Sequence, residues 1–573
     1  MSKKIRVGLI VDSPRIDGWQ RFILDKLSSD QRFAFPLVIQ VAGRAPAAPS
    51  SGAGRRHLPW RLIDRIEREL SRLAFHRGQL RLGARVDETA DLPPSCTNAT
   101  WLTVEPSVSD EVAWRLSESD MAAVRSEALD VIVDFGPRPP ADGLAGAARN
   151  GVWRYSYAGN RLDRGGPPGF WDFYGHEPVT TATLQCVEDG GNAVIRQCAY
   201  RTFRFSWNEN RRRLLWRSAW LLIDALRELA GTGRTPVDRG GGSKPLRITS
   251  GRLDTLPSGI ECAVALLKSI YRLVVATKYY LVFDPQWRLY VHDGDAENAN
   301  IGEFTPIEAE PETMWADPFP IRRNGKSYIF FEEYPFKSKK GIVSYLELPE
   351  KLNGSTRRIR VPGHPVIETP YHLSYPFLFE FEDRVYMIPE TSGNQTIELW
   401  ECDAFPEGWR KKKNVFEDIS AADTTLLHWQ DRWWMFTNID RSKSDDHTAE
   451  LHVFYADNPI DGEWQPHPGN PVVSDARRAR MAGGFIVTGD GRLVRCCQAL
   501  GIYYGKAVVL CEVAELTETA YREVPFERIE PNWQPGVRRT HHFVSRDGLT
   551  VVDGCWDAWK VKRLLRLGAG PKT

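Results

Sequence analysis

Two carboxylates stand at symmetric positions around a tight turn in the sequence MWADPFPIRRNGKSYIFFEE, residues 314–333. Asn324-Gly325, flanked by two apolar runs, is the strongest two-residue signal for a β-hairpin. Counting outward from this turn places Asp317 opposite Glu332. Like charges that face each other destabilise a hairpin, so folding alone gives no reason for this pair. Neighbouring carboxyl groups are, however, what general acid–base chemistry requires.

The same pattern recurs in four more segments further along the chain. These are LSYPFLFEFEDRVYMIPE, AADTTLLHWQDRWWMFTN, AGGFIVTGDGRLVRCCQ and THHFVSRDGLTVVDGC. Each repeat has an anchor residue eight positions before the second residue of its turn, and the anchors lie 58, 48, 60 and 57 residues apart: Asp317, Tyr375, Asp423, Gly483 and Thr540. Five units in series, each long enough for four strands, predict a five-bladed β-propeller over residues 286–560.

The first strand of a propeller blade normally lines the central channel, so the anchors should ring one mouth and the turns the opposite rim. Hairpin symmetry predicts five facing pairs: Asp317–Glu332, Tyr375–Glu390, Asp423–Asn438, Gly483–Gln498 and Thr540–Cys555. We predict a polar pocket there, the form expected of a glycan site with acid–base chemistry. Its predicted catalytic residues are Asp317, Glu332, Asp423 and Glu390, and its predicted substrate-binding residues are His372, Tyr375, Asn438, Arg480, Gln498 and His541. We expect no metal and no cofactor.

Two consequences follow for the electrostatics of this pocket. Asp317 and Glu332 cannot both ionise freely in a partly desolvated mouth, so one of them should keep its proton toward neutral pH. Removing the repulsion by Asp317→Asn should leave the thermal stability unchanged or higher. Of the adjacent His541 and His542, one should point away from the channel, since neighbouring residues of a strand face opposite sides. The alternative is that these polar side chains only solvate the channel.

An α/β pattern precedes the repeats. IRVGLIVDS, FAFPLVIQVAG and LDVIVDFG are apolar runs typical of buried strands, and WRLIDRIERELSRLAF has the spacing of a helix. The Gly-rich stretch at residues 230–245 is the clearest linker. The predicted organisation is an α/β domain (1–229), a linker and helical connector (230–285), the propeller (286–560) and a basic C-terminal tail (561–573).

The composition excludes some classes of partner. The 573 residues carry 75 Lys and Arg against 74 Asp and Glu, which argues against a nucleic-acid-binding protein. Nine cysteines without a CxxC pair indicate reduced thiols and a cytoplasmic protein. The apolar stretch CAVALLKSIYRLVVATKYYLVF is interrupted by Lys268, Arg272 and Lys278. We therefore predict no transmembrane segment but a peripheral membrane association through residues 261–283.

Several motifs of the repeat region carry a resemblance. WADPF, HLSYPFLF, YMIPE, RWWMFTN and PHPGNPVV occur in this order and resemble the N-terminal propeller region of glucosamine inositolphosphorylceramide transferases. More distantly, the architecture resembles the five-bladed arabinanase, invertase and levansucrase superfamily. That resemblance implies that Asp317 acts as base or nucleophile and that Asp423 positions the sugar. The superfamily's acid is a Glu on a later blade, whereas the fourth repeat here offers Gly483 and Gln498.

Residues 1–205 carry a second resemblance, to folate-dependent formyltransferases. The segment GVWRYSYAGNRLDRGGPPGFWDFYGHEPVTTATLQ is similar to their central segment when aligned on Gly151, Arg164-Gly165 and Thr181. The family's Asn, His and Asp correspond here to Arg154, Ser156 and Gly190, although Asp189 is one residue away. The resemblance implies a Rossmann-like α/β fold that has lost the formyl-transfer reaction.

Three functions remain open from the sequence. The first is a carbohydrate-active enzyme, acting by glycosyl transfer or glycoside cleavage in surface polysaccharide or glycolipid metabolism, with its site in the propeller channel. The second is a formyl- or acyltransferase that acts on an amino sugar through the N-terminal domain. The third is a non-catalytic protein that binds a glycan or nucleotide sugar. The channel acids favour the first over the third, and the altered triad weighs against the second.

Overall fold

The computed structural model describes residues 4–41, 58–75, 88–104, 107–108, 114–136, 143–157, 167–187, 192–236, 257–350, 358–444, 446–499 and 505–560. The chain divides into two compact units, Met1–Leu273 and Val274–Thr573. The predicted basic tail, Asp189, Gly190, Arg164-Gly165 and much of the predicted linker lie outside the described residues.

The first unit is built on a mixed β-sheet with a parallel core. Its seven strands run in the order Ala193–Arg201, Val179–Val187, Val152–Ser156, Val131–Asp134, Ile5–Val11, Phe33–Val41 and Thr100–Val104. The last five are parallel, and the first two are antiparallel to their neighbours. Short two-stranded ribbons pair Arg15–Asp17 with Thr89–Asp91 and Ser107–Val108 with Trp114–Arg115.

Seven α-helices belong to the described parts of the chain. They are α1 Gly18–Ser28, α2 Leu58–Phe75, α3 Pro94–Thr97, α4 Glu118–Ser126, α5 Phe170–Gly175, α6 Trp207–Thr232 and α7 Gly259–Val282. Helix α6 begins at a Ser206 cap, whose hydroxyl accepts the Glu209 N–H, and ends at Gly233 in the left-handed conformation. A 3-10 turn covers Ala145–Ala147. The α/β pattern predicted for the N-terminal region is thus present.

The second unit is a β-propeller of five four-stranded sheets. Blade 1 holds Thr313–Arg323, Lys326–Pro335, Ile342–Glu347 and His364–Ile367. Blade 2 holds Ser374–Phe381, Arg384–Glu390, Thr396–Ala404 and Glu407–Glu417. Blade 3 holds Ala421–Trp429, Arg432–Ile439, Leu451–Ala456 and Gln465–Pro466. Blade 4 holds Met481–Val487, Leu493–Ala499, Ala507–Leu516 and Tyr521–Ile529.

Blade 5 joins strands from both ends of the propeller sequence. It pairs Phe543–Arg546 with Leu549–Trp559, and then adds Phe283–Asp293 and Thr305–Ile307. The long strand Phe283–Asp293 matches Leu549–Trp559 residue by residue along its whole length. This pairing closes the ring of blades. The edges by which Phe283–Asp293 and Leu549–Trp559 face each other are therefore both paired. Three 3-10 turns, Ala296–Asn298, Ile301–Glu303 and Ser392–Asn394, lie in its connections.

The predicted turns form the inner hairpins of the blades. Asn324 and Gly325 have φ values of 53° and 74°, and the turns of blades 2, 3 and 5 likewise have positive φ at both central residues. Such turns follow the twist of the flanking strands. Arg323 donates to the Glu380 carboxylate and to the Asp383 carbonyl, which joins the turn regions of blades 1 and 2. The fivefold repeat predicted from the sequence is therefore confirmed.

The predicted facing pairs are wrong by a shift of register, which a bulge explains. Glu332 pairs with Ala316, and two residues of the inner strand then stand against one before pairing resumes at Phe319–Phe330. The bulge falls on the anchor itself, because Asp317 takes a left-handed backbone with φ 50°. The same one-residue displacement pairs Ser374 with Glu390, Ala422 with Asn438 and Arg539 with Cys555. In blade 4 the irregularity is larger, because three inner-strand residues stand against one between Met481–Cys497 and Phe485–Arg495.

Candidate active site in the propeller channel

The bulges direct the anchor side chains differently from a regular strand. Tyr375 and Asp423 have φ values of 46° and 52°, and Gly483 has 115°. A left-handed residue breaks the alternation of side chains, and the short polar Asp tolerates this backbone better than most residues. Four inner strands thus carry one left-handed residue each at the same level of the channel, and two of these residues are acids.

Asp317 is held as an ionised carboxylate by neighbours from two other blades. His541 Nε2 lies 3.3 Å and His542 Nδ1 3.5 Å from the Asp317 Oδ1 atom, and the Tyr375 backbone N–H donates to Oδ2 at 3.2 Å. Burial would raise the pKa of Asp317, but the two histidines outweigh it and lower this pKa to about 2. Asp317 is therefore negatively charged at neutral pH.

Glu332 has the opposite electrostatic environment. Burial raises its pKa well above the ordinary value, and the neighbouring Asp317 and Glu390 carboxylates raise it further. His372 Nε2 lies 3.4 Å from Glu332 Oε1, while His372 Nδ1 accepts the Gly341 N–H at 2.8 Å. Neutral His372 therefore carries its proton on Nε2, facing the Glu332 carboxyl group. The pKa of Glu332 is thus shifted in the direction that favours its protonated form, opposite to the shift of Asp317.

A second group of residues surrounds Asp423. The Arg480 guanidinium binds its carboxylate through Nε at 2.6 Å and Nη2 at 3.2 Å, and Gln498 Nε2 donates at 3.0 Å. Burial raises the pKa of Asp423 to about 7 even though Arg480 opposes the shift. Arg480 Nη2 also lies 3.5 Å from Glu390, whose other oxygen accepts the Ser392 hydroxyl at 2.8 Å. Arg480 thus links the acids of blades 2 and 3.

Asp553 is a site residue that the sequence reasoning missed. This fully buried carboxylate lies 2.6 Å from His541 Nδ1 and accepts the backbone N–H groups of His541 and His542 at 3.0 and 3.1 Å. Burial lowers the pKa of His541, but Asp553 and Asp317 outweigh it and raise this pKa. The signal in the sequence is an acid inside the apolar strand LTVVDGCW, two residues before the position that hairpin symmetry selects.

Both adjacent histidines face Asp317, so the expectation that one would point away is wrong. The bridge at Arg539 is followed by irregular backbone up to Phe543, which removes the strand alternation. Asp317, His541 and Asp553 are also the one group, among the described residues, that could offer ligand atoms to a metal ion, with those atoms within 4.8 Å of one another. In the arrangement seen here, His541 lies between the two carboxylates, which raise its pKa and so favour its charged form.

Two predicted substrate-binding residues have their polar groups engaged by the protein. The Tyr375 hydroxyl lies 2.8 Å from Thr425 Oγ1 and accepts the Gly483 N–H at 3.1 Å, deep in the core. The Asn438 amide donates to the Glu450 and Ala479 carbonyls, at 3.0 Å each. Tyr375 therefore crosses the channel from blade 2 to blades 3 and 4.

The remaining side chains form a gradient of exposure toward one mouth. The His372 side chain is 43% exposed, Glu332 and Glu390 are 12% exposed, and Asp317 is 8% exposed. A ligand that enters past His372 would meet Glu332, Glu390 and Arg480 first. The fold and site together define a five-bladed propeller with a cluster of buried acidic side chains in its channel.

Comparison with known proteins relates the propeller to one family. Residues 305–544 match the family described as "Glucosamine inositolphosphorylceramide transferase 1, N-terminal". The transferase of this name from Oryza sativa subsp. japonica is 30% identical over 223 residues, which cover 39% of this chain and 29% of the relative. The Arabidopsis thaliana protein is 29% identical over 256 residues, 43% of this chain and 32% of its own. The resemblance predicted for the propeller region is thus confirmed, although the chain spans only about a third of these relatives' length.

Solved structures give weaker likenesses. A GH62 α-L-arabinofuranosidase catalytic domain from Coprinopsis cinerea matches 48% of this chain and 96% of its own, with 11% identity and a TM-score of 0.33. A glycinamide ribonucleotide transformylase from Symbiobacterium toebii matches 40% of this chain and 90% of its own, with 17% identity and a TM-score of 0.26. Identities and TM-scores this low say nothing about the activity of this chain.

Proposed function

We propose that the protein is a carbohydrate-active enzyme whose propeller channel makes or breaks a glycosidic bond. The feature that carries this proposal is the pair of neighbouring acids whose pKa values are shifted in opposite directions, that of Asp317 lowered to about 2 and that of Glu332 raised well above its ordinary value. Glycosidic bonds are cleaved or exchanged by such a pair, with one carboxyl group giving a proton and the other facing the cationic transition state. The propeller relatives are named as sugar transferases, which agrees with this chemistry.

The roles follow from the two pKa shifts. Glu332 donates its proton to the leaving oxygen as the bond from that oxygen to the anomeric carbon breaks. Asp317 is a very weak base, because its pKa is about 2. It therefore stabilises the positive charge on the sugar ring, or attacks the anomeric carbon as a nucleophile. The oxygen of water or of an acceptor sugar forms the new bond and returns its proton to the Glu332 carboxylate.

The residues around Asp423, namely Glu390 and Arg480, are suited to orienting a ligand. Glu390 and Arg480 are partly accessible at the mouth, and Arg480 has its guanidinium fixed by Asp423. Fixed donors and acceptors of this kind hold sugar hydroxyls in one geometry. Gln498, which donates to Asp423, and His372, which lies beside Glu332, extend the set. The buried Tyr375 and Asn438 bond to neighbouring strands and support it.

The names of the relatives suggest the class of substrate. Those proteins are named as acting on an inositolphosphorylceramide, a phosphorylated lipid. We propose a glycolipid or lipid-linked glycan as the substrate here. All nine cysteines are buried, and a cytoplasmic location is proposed from their irregular spacing in the sequence.

The N-terminal unit is proposed as a formyltransferase-like fold without formyl transfer. Arg154 and Ser156 lie at the end of the parallel strand Val152–Ser156, at the positions where that chemistry would need Asn and His. Neither can act as the missing base. The unit would then bind a nucleotide-like or sugar ligand or serve as a scaffold, and an acyltransferase activity is the alternative that assays must exclude.

A screen of the full-length protein tests the proposed function. The ligands are nucleotide sugars with glycolipid acceptors and aryl glycosides, and product formation is measured by mass spectrometry. Glu332→Gln should abolish turnover, whereas the control Glu347→Gln should not, because Glu347 pairs with Lys326 at the turn end of blade 1. Binding of a glycan without any turnover would instead establish the non-catalytic alternative.

A further inference from the structure

Helix α7 leaves several large apolar side chains exposed, and the residues that it buries completely are small. In its first four turns Cys262, Ala265 and Ser269 are buried. Ile260, Leu267 and Tyr271 are 79%, 65% and 69% exposed. A surface helix normally turns its large apolar residues inward. Contiguous exposed apolar surface of this kind marks an interaction site.

The apolar row does not result from a poorly attached helix. Cys262 and Ala265 pack in one cluster with Phe170, Phe173 and Trp207. Helix α2 packs on the same cluster through Ile63, and it too exposes apolar residues four positions apart, with Leu62, Ile66 and Leu70 being 61%, 45% and 50% exposed. Helix α2 and the part of α7 that belongs to the first unit share one internal cluster, and each presents an apolar row outward.

Two positive charges flank the row on α7 and have only neutral partners. Lys268 Nζ donates to the Tyr174 carbonyl at 2.8 Å, and the Arg272 guanidinium donates to the carbonyls of Phe173 and Arg204 at 3.2 and 3.1 Å. Among the residues that the structure describes, no carboxylate lies within ion-pair distance of either side chain. The pKa of the nearby His176 is lowered by burial and then by Arg272, Arg204 and Lys268, as expected beside uncompensated positive charge.

We propose that the first unit docks on an anionic bilayer surface through this face of α7, with the apolar row in the headgroup region and Lys268 and Arg272 toward lipid phosphates. A bilayer matches both observations, since apolar burial and attraction to anionic lipids act together on interfacial helices. A second copy of this chain would cover the apolar row but would not suit the charges, because self-association would bring Lys268 and Arg272 near their own copies. No helix of the described residues is long and apolar enough to cross a membrane, so the helix would lie along the surface.

The test is sedimentation of the full-length protein with vesicles. One set is phosphatidylcholine alone, and the other contains about 30 mol% phosphatidylglycerol. The variant is Leu267→Gln with Tyr271→Gln, because Gln is a good helix former and both side chains are exposed. The matched control is Val524→Gln with Phe526→Gln on the outer strand of blade 4, where the exposures are 48% and 49%.

Wild type and control should bind the anionic vesicles equally, and the α7 variant should bind about tenfold or more weakly, since each lost apolar contact weakens partitioning. Binding should fall when NaCl rises from about 0.1 M to about 0.5 M. Equal binding by the α7 variant would overturn the proposal. A second result would also overturn the proposal. In it, wild type binds neither type of vesicle, and light scattering shows a wild-type dimer that the α7 variant does not form. These outcomes do not depend on turnover, so they can fail separately from the proposed function.

Discussion

Replacing Asp317 by Asn removes a negative charge that two histidines share. In the folded protein the pKa of Asp317 falls from 3.8 to about 2, because His541 and His542 outweigh the effect of burial. A difference of about two units corresponds to roughly 2–3 kcal/mol in favour of the ionised form. We therefore expect Asp317→Asn to lower the free energy of unfolding by about 2 kcal/mol at about pH 7. This reverses the expectation from the sequence, which counted the repulsion from Glu332 without the histidines.

The pH dependence provides the check on this reasoning. A carboxyl group whose folded-state pKa is depressed contributes stability above its unfolded value of 3.8, and this contribution is lost as the pH falls toward about 2. Urea unfolding of wild type and variant should therefore differ at about pH 7 and converge between about pH 4 and about pH 2. The matched control is Glu347→Gln, an exposed acid of the same blade that pairs with Lys326. Equal stability of the Asn variant and wild type at neutral pH would refute the role of the histidines.

The same variant tests the proposed chemistry once a substrate is known. Loss of one member of an acid–base pair lowers turnover by a factor of about a hundred to ten thousand. Asp317→Asn should show such a loss at temperatures well below its unfolding transition. Turnover that survives both Asp317→Asn and Glu332→Gln would end the proposed role of the channel, whose acids would then only hold the inner strands together.

Three further predictions concern Glu332, Tyr375 and the N-terminal unit. Glu332→Gln should stabilise the protein at about pH 7 and leave its stability unchanged at about pH 4. The reason is that a carboxyl group with a raised folded-state pKa destabilises the fold only above its unfolded pKa of 4.5. Equal effects at both pH values would contradict this. Tyr375→Phe should lower the free energy of unfolding by about 1–3 kcal/mol, since the buried Gly483 N–H loses its acceptor. Urea titration measures this change, and the control is Tyr280→Phe, at a residue that is 54% exposed. No formyl transfer from a reduced-folate donor to an amino sugar should be detected by mass spectrometry, and formylation that Ser156→Ala abolishes would reverse that conclusion.

The local features of the propeller could be predicted well from the sequence. Turn residues such as Asn324-Gly325 act through their own backbone preferences, and strand alternation acts over a few residues. Their repetition at 48–60-residue intervals therefore indicates blade number and the position of each inner hairpin. The same local logic found the acids Asp317 and Asp423, because they stand at equivalent positions in two repeats.

The register of the inner hairpins could not be obtained by counting. The left-handed backbone of Asp317 and Tyr375 depends on contacts that are formed only in the folded ring. Positive φ is unfavourable for a tyrosine, and the bonds of its hydroxyl to Thr425 and Gly483, on other blades, hold it there. Symmetric pairing therefore placed each partner one residue away in four of the five blades.

The sequence by itself determined the five repeats, their turns and the acidic character of the channel, because these depend on neighbouring residues. Only the tertiary structure decided the charge state of the acids. Asp553 contacts the Asp317 backbone across 236 residues of sequence, and the His541 imidazole of the last blade lies 3.3 Å from the Asp317 carboxylate of the first. Burial and charge act through distance in space, so the pKa values of Asp317 and Glu332 are set by the closing of the ring.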